Sequence, residues 1–186
     1  MPTLETSRLL LRDFEATDWQ AVHRYAANLE VVHYMTWEPN TAEETRTFLA
    51  LTRAAQQSQP RLDFELAMIL KGTQQLIGGC GLHLTTLPHR EAELGYYLAR
   101  AAWKQGYATE AALAMLAFGF EHVGLHRIFA TCDPANTNSA HVLEKIGMHY
   151  EGHLRQHLWV KEHWRDSLLY AILEQEWHPE KRVSSH

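Results

Sequence analysis

Apolar residues crowd the segment "RLLLRDF" at residues 8–14 between polar neighbours, and a run this short predicts a strand. Downstream, Trp19, Val22 and Tyr25 or Ala26 recur at helical spacing, and Thr17 with Gln20 fits a capping box that would open the helix. A second helix is predicted over "TAEETRTFLALTRAAQQ". There Thr41 and Glu44 repeat the capping signature, Phe48, Leu49 and Thr52 continue the face, and Pro60 lies beyond the end. The texture then changes. "FELAMIL", "LIGGCGLHL" and "EAELGYYLA", separated by short turns of which Lys71-Gly72 is the first, predict an antiparallel meander. An Ala-rich helix follows from about Thr109 to His122, then a strand, "HRIFATCD". A short helix, "NSAHVLEKIG", stops at Gly147, a C′ glycine. "MHYEGHLRQHLWV" and "RDSLLYAILEQEW" close the chain as a strand pair. The pattern predicts one α/β (α+β) domain over residues 1–178 with a mixed sheet, and a polar tail over 179–186.

Composition narrows the function classes. The chain has 186 residues, of which 46% are hydrophobic and 21% charged, a profile that excludes a disordered or fibrous protein. A formal net charge of -5 argues against a nucleic-acid partner. No run approaches the ~18 apolar residues that span a bilayer, and the N-terminus has no apolar leader core, so the expectation is a cytoplasmic protein without a membrane partner. Cys80 and Cys132 lie in strand-like segments and read as buried reduced thiols. His153 and His157 have the spacing of a helical metal pair, but no third ligand is evident, and no metal is expected.

"WKQGYATEAALAML" carries the first chemical signal. A helix start leaves backbone N-H groups unpaired, and with the helix dipole they suit an anion. Gly106 and Ala108 keep side chains clear of the N-H groups from Gln105 to Glu110, and Lys104 adds charge. The stretch lacks the P-loop pattern, and "GGCG" at 78–81 is no dinucleotide fingerprint. Small residues would equally allow close helix–sheet packing, so both readings stand on physics alone.

The order of segments is more specific. A strand, an anion-binding turn, a helix, a second strand, Asn-x-x-Ser and Lys-x-Gly-Met succeed one another. Together, "TSRLLLRDFEATD", "ELGYYLARAAWKQGYATEA", "NTNSAHVLEKIGM" and "RDSLLYAILEQEW" resemble the GNAT superfamily of acetyl-CoA-dependent N-acetyltransferases, and within it the RimJ/RimL-like branch that acetylates ribosomal-protein N-termini. The resemblance implies a mixed, mostly antiparallel central sheet with a splayed strand pair and flanking helices. It implies acetyl-CoA as cosubstrate, its pyrophosphate on the N-H groups of Gln105, Gly106, Tyr107, Ala108 and Thr109. Trp103 stands where the family loop has Gln or Arg, which removes one polar contact. The pantetheine arm would pair with Leu94, Gly95 and Tyr96, and Asn136 would hydrogen-bond the cofactor or else cap a helix, a role Asn138 could also fill.

Acyl transfer to an amine needs a base, an oxyanion donor and a group that supports the leaving thiolate. The resemblance points to Glu93 as base, with Glu91 the same-face alternate, and to a backbone N-H of Leu94 or Gly95 as oxyanion donor. Many superfamily members carry a tyrosine where this chain has Leu143, which cannot donate a proton; Ser139 is the implied replacement. Trp19, Tyr25, Tyr34 and Trp37 would line the acceptor groove, and Trp159 and Trp164 flank a loop that could touch it. Arg155, Lys161 and Arg165 read as a solvated face. The expected activity is direct transfer, in a ternary complex, to a protein N-terminal α-amine. A small-molecule amine, or a CoA-binding regulatory module with little turnover, is the alternative. A monomer and a homodimer are both compatible with the sequence.

Overall fold

A computed structural model describes residues 2–178; the predicted polar tail at 179–186 lies outside them. Eight strands form one sheet in the order β1-β2-β3-β4-β5-β6-β8-β7. They are β1 (Leu4–Glu5), β2 (Leu9–Asp13), β3 (Asp63–Leu70), β4 (Leu76–Thr86), β5 (Glu91–Leu98), β6 (Arg127–Cys132), β7 (His149–Val160) and β8 (His163–Leu173). Every neighbouring pair is antiparallel except β5 and β6. That parallel pairing is brief, joining Glu91, Ala92 and Glu93 to Arg127, Ile128 and Phe129. Beyond Glu93 the two strands part, which leaves one backbone edge of Leu94–Leu98 without a strand partner. This is the expected splay.

The sheet separates two helical layers because strand side chains alternate between faces. Leu9, Leu11, Leu66, Met68, Leu82 and Leu94 point to one face and pack with α4 (Tyr107–Phe118) and α5 (Thr137–Lys145). Leu10, Ala67, Ile69 and Tyr97 point to the other and pack with α1 (Trp19–Ala26), α2 (Leu29–Val32) and α3 (Ala42–Gln56).

Local chemistry sets the helix bounds, in places differently from expectation. The capping box of α3 forms as read: Thr41 Oγ1 accepts the Glu44 N-H at 3.2 Å, and Glu44 returns the bond to Thr41 N-H at 2.7 Å. The box expected from Thr17 and Gln20 does not. Asp18 precedes α1, and its carboxylate accepts the Glu15 N-H at 2.8 Å while pairing with Arg12. With Asp18 so engaged, α1 has no side-chain cap and continues directly from a 3-10 turn at Ala16–Asp18. The Ala-rich helix starts at Tyr107, two residues earlier than expected, because left-handed Gly106 (φ 81°) turns the chain directly into it. It passes at Gly119–Val123 into a single π turn. The last helix begins at Thr137 rather than Ser139, capped by Asn136 and not by Asn138. Gly147 ends it with φ 85°, as expected. His153 and His157 lie on strand β7, so no helical pair exists, and among the described residues no group of three or more ligating side chains could hold a metal ion. Both cysteines are buried and unpaired; burial raises the Cys132 thiol to about 11.

"GGCG" has a packing role. Gly79 and Gly81 share a face of β4 with Glu65 on β3 and Tyr97 on β5. A Cβ on Gly81 would stand 2.9 Å from His83 Nε2 and nearer still to the Glu65 carboxylate. Gly81→Ala should therefore lower unfolding free energy by about 2 kcal/mol; urea denaturation checks this, and an unchanged midpoint would contradict the packing.

Candidate functional site

The candidate anion cradle lies at the start of α4. Glu110 is the first residue there whose N-H finds a helical acceptor, the Gly106 carbonyl at 3.0 Å. The N-H groups of Tyr107, Ala108 and Thr109 precede the helical ladder and point out of its start. The turn is braced from the N-terminus, an element sequence reasoning missed. Glu110 accepts from Thr6 Oγ1 at 2.6 Å, Ser7 Oγ at 3.0 Å and the Arg8 N-H at 2.8 Å. Burial pushes this carboxyl up, but these bonds outweigh it and hold the group below its ordinary value. Arg8 also binds the Gln105 carbonyl at 2.9 Å and lies 4.5 Å from the Tyr107 ring centroid. Trp103, in place of the family's polar residue, turns inward and donates from Nε1 to the Leu98 carbonyl at 2.9 Å.

Two cavities meet at the splay. One of about 430 Å³ is lined by Lys104, Gly106, Tyr107, Ala108 and Thr109 from the cradle and by Asn138, His141 and Lys145 from α5. The other, about 990 Å³, is lined by Tyr25, Tyr34 and Trp37, by Glu65, His83, Glu91 and Glu93 from the sheet, and by Arg127 and Arg165. Tyr34, Met35, Tyr96, Tyr97, Asn136 and Ser139 line both and mark the boundary. Leu94 and Gly95 line the larger one; Gln105 lies in the braced turn outside both. Of the four aromatics expected in an acceptor groove, Trp19 is the exception, stacking instead under Arg46 with 4.1 Å to its centroid. Trp159 and Trp164 form an exposed edge-to-face pair at 5.4 Å.

The two candidate carboxylates differ. Glu91 is committed: Oε2 accepts from Arg127 Nε at 2.9 Å and Oε1 from Thr85 at 3.2 Å. Glu93 accepts only a hydroxyl bond, from Thr131 Oγ1 at 3.1 Å, and no cation pairs with it among the described residues. It is the carboxylate on this wall most available to take a proton. Ser139 and Asn136 are drawn together, since the Asn136 Oδ1 accepts the Ser139 N-H at 3.2 Å. The cap leaves the Asn136 amide N-H₂ for another partner. Leu143 is buried at 1% exposure and contributes only apolar surface.

A polar cluster on the cavity floor was not anticipated. Glu65 is buried at 7% exposure, accepts from Tyr97 Oη at 2.8 Å and lies 3.3 Å from His83 Nε2. His83 Nδ1 bonds Asp63 at 2.8 Å. The available signal was the glycine pair itself, since alternate glycines on one strand leave room on one face. Lys161 and Arg165 correct the expectation of a solvated face. Lys161 binds the Val32 carbonyl at 2.7 Å and Arg165 the Tyr34 carbonyl at 2.9 Å, which ties the final hairpin to the helical layer; Arg155 is exposed as expected.

Bonds to Asp63 and Glu65 raise the His83 imidazole from 6.5 to about 10. Its folded value lies above its unfolded one, so its contribution to stability is complete below about pH 6.5 and is lost as pH rises toward 10. The melting temperature of wild type should fall over that window more than that of His83→Gln. Parallel curves would remove the linkage.

Comparison with known proteins fits this geometry. The Acetyltransferase (GNAT) domain family matches residues 8–149. The uncharacterized N-acetyltransferase YnaD of Bacillus subtilis (strain 168) is 36% identical, over 94% of this chain and 98% of that protein. An acetyltransferase (GNAT family) from Bacillus anthracis is 37% identical and superimposes with a TM-score of 0.83, covering 94% of this chain and 99% of that one. Spermidine N-acetyltransferase from Vibrio cholerae, solved with CoA and spermine, shares the fold at 23% identity, with a TM-score of 0.79 over 92% and 98% of the two chains.

Proposed function

Because this chain belongs to the GNAT acetyltransferase family, we propose that it moves the acetyl group of acetyl-CoA onto a protein N-terminal α-amine, as in the RimJ/RimL-like branch it resembles. The chain is an acetyl-CoA-dependent N-acetyltransferase; the acceptor and the residue roles are our reading. The observation that carries the roles is the placement of Glu93, a carboxylate with no cationic partner among the described residues, on the wall of the larger cavity, which shares a boundary with the cradle-side cavity.

In this reading the N-H groups of Gln105 to Thr109 hold the pyrophosphate, and the free edge of Leu94, Gly95 and Tyr96 pairs with the amides of pantetheine as an added strand would. The Asn136 side-chain N-H₂ donates to the cofactor. Glu93, directly or through one water, takes a proton from the incoming ammonium, since only a neutral amine attacks a thioester. A backbone N-H of Leu94 or Gly95 meets the oxyanion, and the Ser139 hydroxyl donates to the departing sulfur. Glu93 points from one face of the sheet while Ser139 rides on α5 across the other. The splay is what lets one thioester lie between them.

The walls favour a peptide terminus over a polyamine. Glu65, Glu91, Glu93 and Asp133 line the cavity with His83, Arg127 and Arg165. Each of these cations faces a carboxylate, His83 at Glu65, Arg127 at Glu91 and Arg165 at Asp133, so the wall offers partners of both signs; a peptide end, with an ammonium and carbonyl oxygens, uses both, and a polyamine only the carboxylates. Release of CoA thiol from acetyl-CoA, measured against peptides, amino acids, polyamines and aminoglycosides, tests the proposal. Turnover with peptides at lower KM than with polyamines is expected. Selective turnover of polyamines would overturn the acceptor, and no acceptor-dependent release would favour a regulatory CoA-binding module.

A further inference from the structure

Leu143 offers the leaving group no proton, so the implied donor is Ser139, and a serine hydroxyl rotates freely unless something fixes its proton. The structure supplies that partner. Tyr96 Oη lies 2.9 Å from Ser139 Oγ and 3.2 Å from the Ser139 carbonyl. The serine backbone is itself fixed, because Asn136 Oδ1 holds the Ser139 N-H from the helix cap. Tyr96 and Ser139 both line the boundary between the cradle-side cavity and the amine-side cavity. A thioester anchored in one and attacked from the other crosses that boundary.

The pairing is an outcome of the splay. Tyr96 follows Leu94 on the face that packs with α4 and α5, opposite Glu93. With no strand paired beyond Glu93 on that edge, the phenol reaches between β5 and α5 to the serine.

Donor counting limits the pair to two arrangements, with the phenol or the serine as the donor between them. A phenol has one proton and a serine hydroxyl one proton and two lone pairs. Tyr96 Oη faces two acceptors on Ser139, the carbonyl at 3.2 Å and Oγ at 2.9 Å, and the shorter contact is the one in which either hydroxyl can be the donor. When Tyr96 donates to Ser139 Oγ, the serine proton must be given elsewhere, and the open side is the cavity boundary. Resting on the acetyltransferase reading above, we propose that Tyr96 is a positioning residue that donates to Ser139 Oγ and so aims the serine proton at the thioester sulfur. Burial lifts the Tyr96 hydroxyl above its ordinary range, which keeps this donor protonated at working pH.

The step balances without any change of charge on either hydroxyl. The amine nitrogen bonds to the acetyl carbon, the carbon–sulfur bond breaks, and its electron pair goes to sulfur. The nitrogen gives up its remaining excess proton to solvent as the amide forms, and Glu93 returns its own proton to solvent. The thiolate, stabilised by the Ser139 hydrogen bond, takes one proton from solvent. Tyr96 and Ser139 end as they began.

A double-mutant cycle separates this role from a merely structural bridge between β5 and α5. Tyr96→Phe keeps the ring and removes the hydroxyl. Its kcat should fall about 10-fold, with acetyl-CoA affinity and melting temperature near wild type. In a Ser139→Ala background the same substitution should cost less than twofold. Full kcat in Tyr96→Phe, or an undiminished loss in the Ser139→Ala background, would overturn the proposal. A fall in affinity and melting temperature matching the fall in kcat would do so too, by assigning Tyr96 a packing role. If wild type itself releases no CoA with any amine of the panel, the acetyltransferase roles fall together with this one; release by wild type with an unaffected Tyr96→Phe sinks only this one.

Discussion

Calorimetry on Gly106→Trp should show acetyl-CoA bound at least ~100-fold more weakly than by wild type, about 2.7 kcal/mol. Two costs combine. Gly106 sits at φ 81°, where an L side chain loses roughly 1–2 kcal/mol. An indole on that Cα also covers the N-H groups of Tyr107, Ala108 and Thr109, whose attraction for an anion is worth up to ~2 kcal/mol. Space alone would not do it, because a bare Cβ at Gly106 meets only Arg8 Nη2, at an ordinary 3.4 Å. Gly106→Ala therefore serves as the control: it bears the backbone cost but leaves the cradle open, and should lose only about 10-fold in affinity. Unchanged affinity in the tryptophan variant would remove the helix start as the anion site. Equal losses in both variants would assign the effect to backbone conformation rather than to access. Folding is monitored alongside, since Glu110 and Arg8 lean on the same turn.

Much of this architecture was legible because it depends on local chemistry. Short apolar runs between turns marked the strands, Thr41 and Glu44 marked the start of α3, and Gly147 marked the end of α5. The errors are local competitions. The cap expected from Thr17 is absent because a 3-10 turn at Ala16–Asp18 runs straight into α1, with the Asp18 carboxylate turned back to Arg12 and the Glu15 N-H. The helix after Gly106 began early because one left-handed residue replaced a cap. The tight turn into α4 was legible because its signal is contiguous, from Gln105 to Thr109. The cavity floor was not, since Glu65, His83 and Tyr97 come from three strands and meet only through register. Arg165 was misread for the same reason: its partner, the Tyr34 carbonyl, lies 131 residues away. The Tyr96 hydroxyl illustrates a further limit. Its backbone was expected to matter, but where its ring ends depends on how far β5 and β6 part.

Glu93→Gln should lower turnover by about 10²–10³-fold while leaving acetyl-CoA affinity within about twofold of wild type. The substitution keeps the shape and the hydrogen bond from Thr131, and removes the ability to take a proton. Affinity should hold because the cradle belongs to α4 and the pantetheine edge to the backbone of β5, neither of which uses the Glu93 carboxylate. The comparison with Glu91 gives the test its resolution. Glu91 lies on the same face two residues away, but Arg127 holds it at 2.9 Å and also pairs with Glu151 at 2.6 Å. Removing the Glu91 charge disturbs an ion-pair network beside the site, and should change KM or stability more than kcat. Removing the Glu93 charge disturbs no such network, so its effect should fall on kcat alone. A wild-type rate for Glu93→Gln across pH would transfer the base to solvent or another group. A loss in Glu91→Gln as deep as that in Glu93→Gln would mean that the field of the paired carboxylates, rather than one positioned base, prepares the amine for attack.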